Sequence, residues 1–279
     1  MSGALNRHPL STSTCSGEYV EQGAQVLRWQ PTHVADPVLY LSSTARFESG
    51  RSIRGGIPIC WPWFGPGRSP GMEPMHGPVR TAMWHLVSHD ESGDSVVTVH
   101  ELSSGDVSTP HWPHDFALRL TATFARTLTV QLSTTNLGSE PVDFEEAIHT
   151  YLVVGDIQRV AIEGLSGATY VDKTRGGVQF VQDGPLTFAG ETDSVYRSSG
   201  PIAVEDPVLG RRITVTMAGA SNAVVWNPWQ QKAAGIADVG PGEWRGFVCV
   251  EGANAFENAV TLEPGQAHTI GYELAVEDL

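Results

Sequence analysis

Apolar and polar residues alternate with a period of two along much of the chain. In Leu128–Thr135 (LTVQLSTT), Leu128, Val130 and Leu132 fall on one face, and Thr129, Gln131 and Ser133 on the other. That spacing belongs to a half-buried strand. RRITVTMAG repeats it with Ile213, Val215 and Met217, while SVVTVHEL and VLYLSS are rich in Val, Leu, Tyr and Thr. Such residues suit the pleated surface of a sheet. Breakers separate these runs: ESGDS, NLGSEPV, QDGPL, VGPGEW and LEPGQ. Many short strands divided by Gly, Pro, Asn and Asp turns predict a β-sandwich or barrel. Helical periodicity is scarce, and the best short candidates are Ser42–Phe47 and Phe256–Asn258. The pattern therefore predicts one large, mostly antiparallel β domain over residues 1–279, with residues 1–19 as a short polar arm.

Composition agrees with a folded chain. The 279 residues are 41% hydrophobic and 17% charged, which excludes a disordered class. No run of eighteen apolar residues exists, so no membrane-spanning helix is expected. Cys15, Cys60 and Cys249 are an odd, sparse set without metal-ligand spacing. This favours a reducing compartment, and the expectation is cytoplasmic.

The formal net charge of −14 argues against nucleic-acid or anionic-membrane partners. The basic residues are uneven: Lys173 and Lys232 are the only lysines, and Arg46, Arg51, Arg54, Arg68 and Arg80 crowd one region. A basic patch on an acidic protein points to a local anion site, although individual arginines also pair with surface carboxylates.

Arg51–Pro70 (RSIRGGIPICWPWFGPGRSP) concentrates arginine, glycine, proline and aromatic residues as no regular element does. Arginine forks suit phosphate or carboxylate, and glycine lets backbone approach a ligand closely. Trp61, Trp63 and Phe64 offer flat faces either to a sugar ring or to the core. In FEEAIHTYLVVGDI, alternation sets His149 beside Ala147 and Tyr151. It is either a hydrogen-bonded core residue or a proton donor and acceptor near neutral pH. FVCVEG reads as an apolar strand ending in Glu251 and Gly252. A carboxylate there is costly unless it is ion-paired or functional. HWPHD places His111 and His114 near Asp115, but Pro113 and the lack of a third well-spaced ligand argue against zinc. P-loop, dinucleotide and G-x-S-x-G patterns are absent.

Taken in order, IRGGIPICWPWFGP, His76–Trp84 (HGPVRTAMW), AIHTYLVVGDI, Gly164–Lys173, ETDSVY, VVWNPW and FVCVEG resemble the aldose 1-epimerase superfamily. The likeness is to its hexose-6-phosphate mutarotase branch and runs over residues 20–275. It implies a large antiparallel galactose mutarotase-like β-sandwich and interconversion of the α and β anomers of a hexose 6-phosphate, glucose 6-phosphate first. By the resemblance, His149 is the general acid and Glu251 the general base. Arg54, Arg80, Asp193 and His76 then bind substrate, with no metal or cofactor. A monomer is expected. The chain departs from the family's Gln-His-Gly-Phe-Ala-Arg at Met75-His76-Gly77-Pro78-Val79-Arg80, where Met75 removes a hydrogen-bonding group. That departure leaves two other readings open: a non-catalytic sugar-phosphate-binding protein, or a mutarotase for unphosphorylated sugars.

Overall fold

The computed structural model describes residues 3–107 and 109–279. The alternating segments form two large antiparallel sheets. The nine-stranded sheet is ordered Leu186–Thr187, Ala161–Glu163, Ile202–Asp206, Arg211–Ala218, Ala267–Asp278, Leu128–Asn136, Phe116–Phe124, Ser95–Ser103 and His85–Ser92. Its central strands show strict burial alternation. In Leu128–Asn136, Leu128, Val130 and Leu132 are buried, while Thr129 and Ser133 remain partly accessible and Gln131 is exposed.

The second sheet runs Val178–Val181, Thr169–Asp172, Thr192–Arg197, Asn222–Asn227, Phe247–Asn254, Glu146–Ile148 and Ile59–Cys60, with Tyr151–Val153 also paired to Phe247–Asn254. Its central strand is covered on both sides. All eight residues of Phe247–Asn254 are buried, which explains a continuous apolar run where a half-buried strand would alternate. The inner face packs on the nine-stranded sheet: the Tyr272 hydroxyl donates to the Val250 carbonyl at 2.6 Å. A Cβ added to Gly252 would meet Met217 Sδ at 3.1 Å. The strand does not end at Gly252, as the sequence suggested, but continues to Asn254.

Other expectations need correction. Residues 3–19 are not a polar arm, because His8–Ser11 and Cys15–Val20 form a three-stranded sheet with Gln25–Pro31. Cys15 and Tyr19 are buried there and join the main core, so short polar residues masked an ordinary amphipathic hairpin. Ser42–Phe47 is not helical. Instead, Ser42 Oγ and the Ser43 N–H donate to Glu243, which holds the segment as a turn. Phe256–Asn258 is a single 3-10 turn. The α-helix among the described residues is Trp229–Ala233.

Trp61 and Trp63 are core residues, 0% and 1% exposed. Trp61 packs on Trp112, Phe116 and Phe144, and Trp63 Nε1 donates to the Pro74 carbonyl. Truncating a buried tryptophan to alanine typically costs about 3–5 kcal/mol. Among the described residues, no helix is long and apolar enough to cross a membrane.

Candidate active site

Strand register decides which side chains share the outer face of the second sheet. Asp193 lies opposite Trp226, and Trp226 opposite Cys249. Val195 lies opposite Val224, and Val224 opposite Glu251. Tyr151 is opposite Cys249, and Ala147 is opposite both Ala253 and Cys60. Cross-strand partners share a face, so Asp193, Trp226, Cys249, Glu251 and Tyr151 all point away from the sandwich interior. His149 occupies the two-residue break between Glu146–Ile148 and Tyr151–Val153. Its N–H donates to Pro58 O, which fixes the backbone there.

His149, Asp193, Trp226 and Glu251 line a cleft of about 320 Å³ with Arg54, Phe64, Met75, His76, Lys173 and Lys232. His149 Nδ1 stands 3.4 Å from Glu251 Oε1, and both side chains are buried. Neither His149 Nδ1 nor Glu251 Oε2 has a hydrogen-bond partner. A buried polar atom left unsatisfied costs about 1–3 kcal/mol. A pair of them facing one cleft marks a place kept for another molecule.

The electrostatics push the two groups toward neutrality. Burial drives the Glu251 carboxyl well above the usual carboxylate range, and the nearby Asp193 charge adds to it; Lys173 and Arg80 pull the other way. Burial likewise holds His149 well below the ordinary imidazole value, reinforced by His76, Arg80 and Arg54. The imidazole stacks on Tyr151 with a centroid separation of 4.8 Å and an interplanar angle of 4°. Tyr151 therefore fixes the ring plane of His149.

Arg54 is held rather than free. Its Nη1 donates to Tyr151 Oη at 2.8 Å. Its Nε and Nη2 lie 3.1 and 3.0 Å from Asp238 Oδ1. Gly55, with φ of 112°, lets this segment pass the Tyr40–Leu41 backbone, since a Cβ there would lie 2.4 Å from Tyr40 O. Arg80 is not among the residues lining the cleft. It is 7% exposed, and its Nε has no partner. Its charge is nevertheless felt by His76, His149 and Glu251.

His76 Nδ1 accepts the Gly65 N–H at 3.1 Å, so a neutral ring carries its proton on Nε2. His76 meets His149 edge to face at 5.6 Å. Burial, Arg80, Lys173 and Arg54 lower its pKa well below 6.5. Gly77 makes this placement possible, because a Cβ there would lie 1.9 Å from Trp61 O. Asp193 Oδ1 pairs with Lys173 Nζ at 3.0 Å, and Lys232 Nζ pairs with Glu191 at 2.6 Å.

The cleft thus gathers Arg54, His76, His149, Asp193 and Glu251, with Arg80 buried nearby. Sequence reasoning did not assign Lys173, Lys232, Asp238 or Tyr151 to it. For the lysines a signal was present: the only two in the chain both line this one cleft. Arg68, from the arginine-rich segment, reaches from the surface to the buried Glu145 carboxylate at 3.3 Å. Glu145 also accepts the N–H groups of Phe64 and Phe256, joining the cleft wall to a neighbouring loop.

Among the described residues, His149, Cys249 and Glu251 bring potential metal-ligand atoms within 4.8 Å of one another. The cationic surroundings oppose a metal there, and burial pushes the Cys249 thiol well up. Cys60, also buried, is pushed up to about 12. Neither thiol is reactive.

The aldose 1-epimerase family model matches residues 9–275. A relative from Escherichia coli K12, provisionally named glucose-6-phosphate 1-epimerase, is 37% identical over 88% of this chain and 82% of its own. A relative from Cenchrus ciliaris with the same provisional name is 34% identical over 90% of this chain and 78% of its own. A solved structure from Salmonella typhimurium, provisionally described as a mutarotase, has a TM-score of 0.92 at 30% identity. That match covers 99% of this chain and 92% of the other. The likeness extends through both sheets and every strand that carries a cleft residue, and the chain belongs to the aldose 1-epimerase family.

Proposed function

We propose that this protein interconverts the α and β anomers of a hexose 6-phosphate, with glucose 6-phosphate as the preferred substrate. The observation that carries the reading is the buried, unsatisfied His149–Glu251 pair in a cationic cleft. Family membership and the names of the relatives support it.

The reaction needs a base for the C1 hydroxyl proton and an acid for the ring oxygen. Glu251 takes the first proton as His149 gives the second, and the C1–O5 bond breaks to leave the open-chain aldehyde. Rotation about C1–C2 presents the other carbonyl face, and reclosure returns both protons. Ring opening therefore converts ionised Glu251 and protonated His149 into their neutral forms. Burial already favours those neutral forms in the empty cleft. The resting pair consequently matches the proton state of the open-chain intermediate, and moving its one proton from Glu251 to His149 gives the state from which the ring opens. Acid and base together meet the needs of the chemistry without another group.

Arg54, Arg80 and Lys232 supply positive potential that offsets the acidic body of the protein for an anionic substrate, whereas Lys173 is matched by Asp193. Asp193 and the polar edge of His76 are suited to sugar hydroxyls. Three buried free cysteines fit a reducing, cytoplasmic location for a monomer acting through its single β domain.

The test is the approach of freshly dissolved α-glucose 6-phosphate to anomeric equilibrium. Acceleration that disappears in Glu251→Gln supports the proposal, and an unchanged rate removes it. Binding of the sugar phosphate without acceleration would identify the non-catalytic binding protein.

A further inference from the structure

Lys173 stands at an unusual point of the cleft. It begins a 3-10 turn, Lys173–Arg175, whose N-cap Asp172 accepts the Thr174 N–H and hydroxyl. The turn closes on Gly176 with φ of 71°. This geometry carries the ammonium back to Asp193 Oδ1 at 3.0 Å and over the Phe64 ring at 5.4 Å. The Lys173 side chain is 32% exposed and that of Asp193 15%. The pair therefore sits at the cleft wall, where screening by water is incomplete.

Glu251 is enclosed by groups from every neighbouring element. His149 approaches from the break before Tyr151–Val153, Cys249 precedes it by two residues, and Cys60 comes from Ile59–Cys60. Tyr272 lies across the sandwich, and Asp193, Lys173 and Arg80 supply the charges. Asp193 is the one carboxylate in this set. An uncompensated Asp193 would set a like charge against a base that must ionise to work.

We propose that Lys173 is a positioning residue of the cleft: it neutralises Asp193 and so keeps Glu251 able to accept the substrate proton. The catalytic consequence rests on the mutarotase reading, whereas the electrostatic claim stands independently of it. The same ion pair orients Asp193 toward the sugar.

Infrared difference spectra between each protein and its Glu251→Gln counterpart isolate the Glu251 carboxyl and give its titration midpoint. Lys173→Met is expected to raise that midpoint by roughly one pH unit, the scale of a lost neighbouring cation. Lys173→Arg is expected to stay near wild type. Asp193→Asn added to Lys173→Met is expected to bring the midpoint back, because the charge that Lys173 masked is then gone. The acid limb of kcat/KM for α-glucose 6-phosphate should move with the midpoint in Lys173→Met. An unmoved midpoint in Lys173→Met, or one that Asp193→Asn fails to restore, overturns the proposal. Wild-type protein without mutarotase activity would remove the reaction assigned above, and the infrared titration would still decide the role of Lys173. Because Lys173 is partly exposed on a surface turn, its variants are expected to fold, and Lys173→Arg controls for lost packing.

Discussion

Glu243 and Glu251 are eight positions apart and live in opposite worlds. Glu243 accepts hydrogen bonds from Tyr40 Oη, Ser42 Oγ and the N–H groups of Ser43 and Gly240. Despite some desolvation, these donors hold its pKa down to about 2. Glu251 is 1% exposed, its Oε2 has no partner, and burial pushes its pKa up. A carboxylate saturated with donors pins a loop. One starved of donors, facing a cleft, is pushed by burial toward its protonated form. The contrast separates a structural acid from a candidate catalytic one without reference to any relative.

The sharpest way to break this contrast is to neutralise each acid. Glu251→Gln is expected to lose roughly 10²–10⁴ of the mutarotation rate, the usual weight of a positioned acid or base. His149→Asn should fall in the same range, measured by the same anomer assay. Glu251→Gln should not destabilise the fold. The raised folded-state pKa means that the native chain holds an extra proton above the unfolded value. Native stability therefore falls as pH rises from about 4.5 toward the folded pKa. Removing the ionisable group removes that slope, which denaturant titrations across pH would show.

Arg54 tests the anion side of the account. Arg54→Gln should raise KM for glucose 6-phosphate by roughly ten- to a hundred-fold, the loss of one charge-assisted contact. For free glucose the effect should be much smaller. Equal losses with both sugars would place Arg54 behind Tyr151 and His149, as a support and not a phosphate ligand.

Glu243→Gln should lower stability by about 1–3 kcal/mol while kcat stays within a few-fold of wild type. Its depressed folded pKa stabilises fully above the unfolded value of 4.5, and the contribution disappears as pH falls toward 2. The variant should therefore show a flatter acid limb in stability, read from thermal melts against pH. The smallest effect is expected at Met75, which lines the cleft and is 62% exposed. Met75→Gln restores a hydrogen-bonding group and should change KM by only a few-fold.

Much of the fold was legible because burial on one face writes a period of two into the sequence. Leu128–Thr135 and Ile213–Met217 carried that signal plainly. It failed where both faces are buried, as in Phe247–Asn254, whose end was placed two residues early. It also failed in His8–Val20, where short polar residues disguise a hairpin. His149 and Glu251 stood out as polar residues inside apolar runs, and the family resemblance assigned their roles. Their 3.4 Å approach was beyond the sequence, because it depends on the strands bearing Tyr151 and Cys249 pairing in one register. Trp61 and Trp63 show another case: the sequence left both open between a sugar contact and the core, and the structure uses both for packing.

The central claim is that the starved Glu251–His149 pair opens a sugar ring. Freshly dissolved α-glucose 6-phosphate, followed by one-dimensional proton NMR of its anomeric signals, tests it most directly. The account predicts that catalytic amounts of wild-type protein accelerate equilibration, whereas Glu251→Gln, folded and still binding the sugar phosphate, does so at least a hundred-fold less. Equal acceleration by both proteins, or none by the wild type, would contradict it.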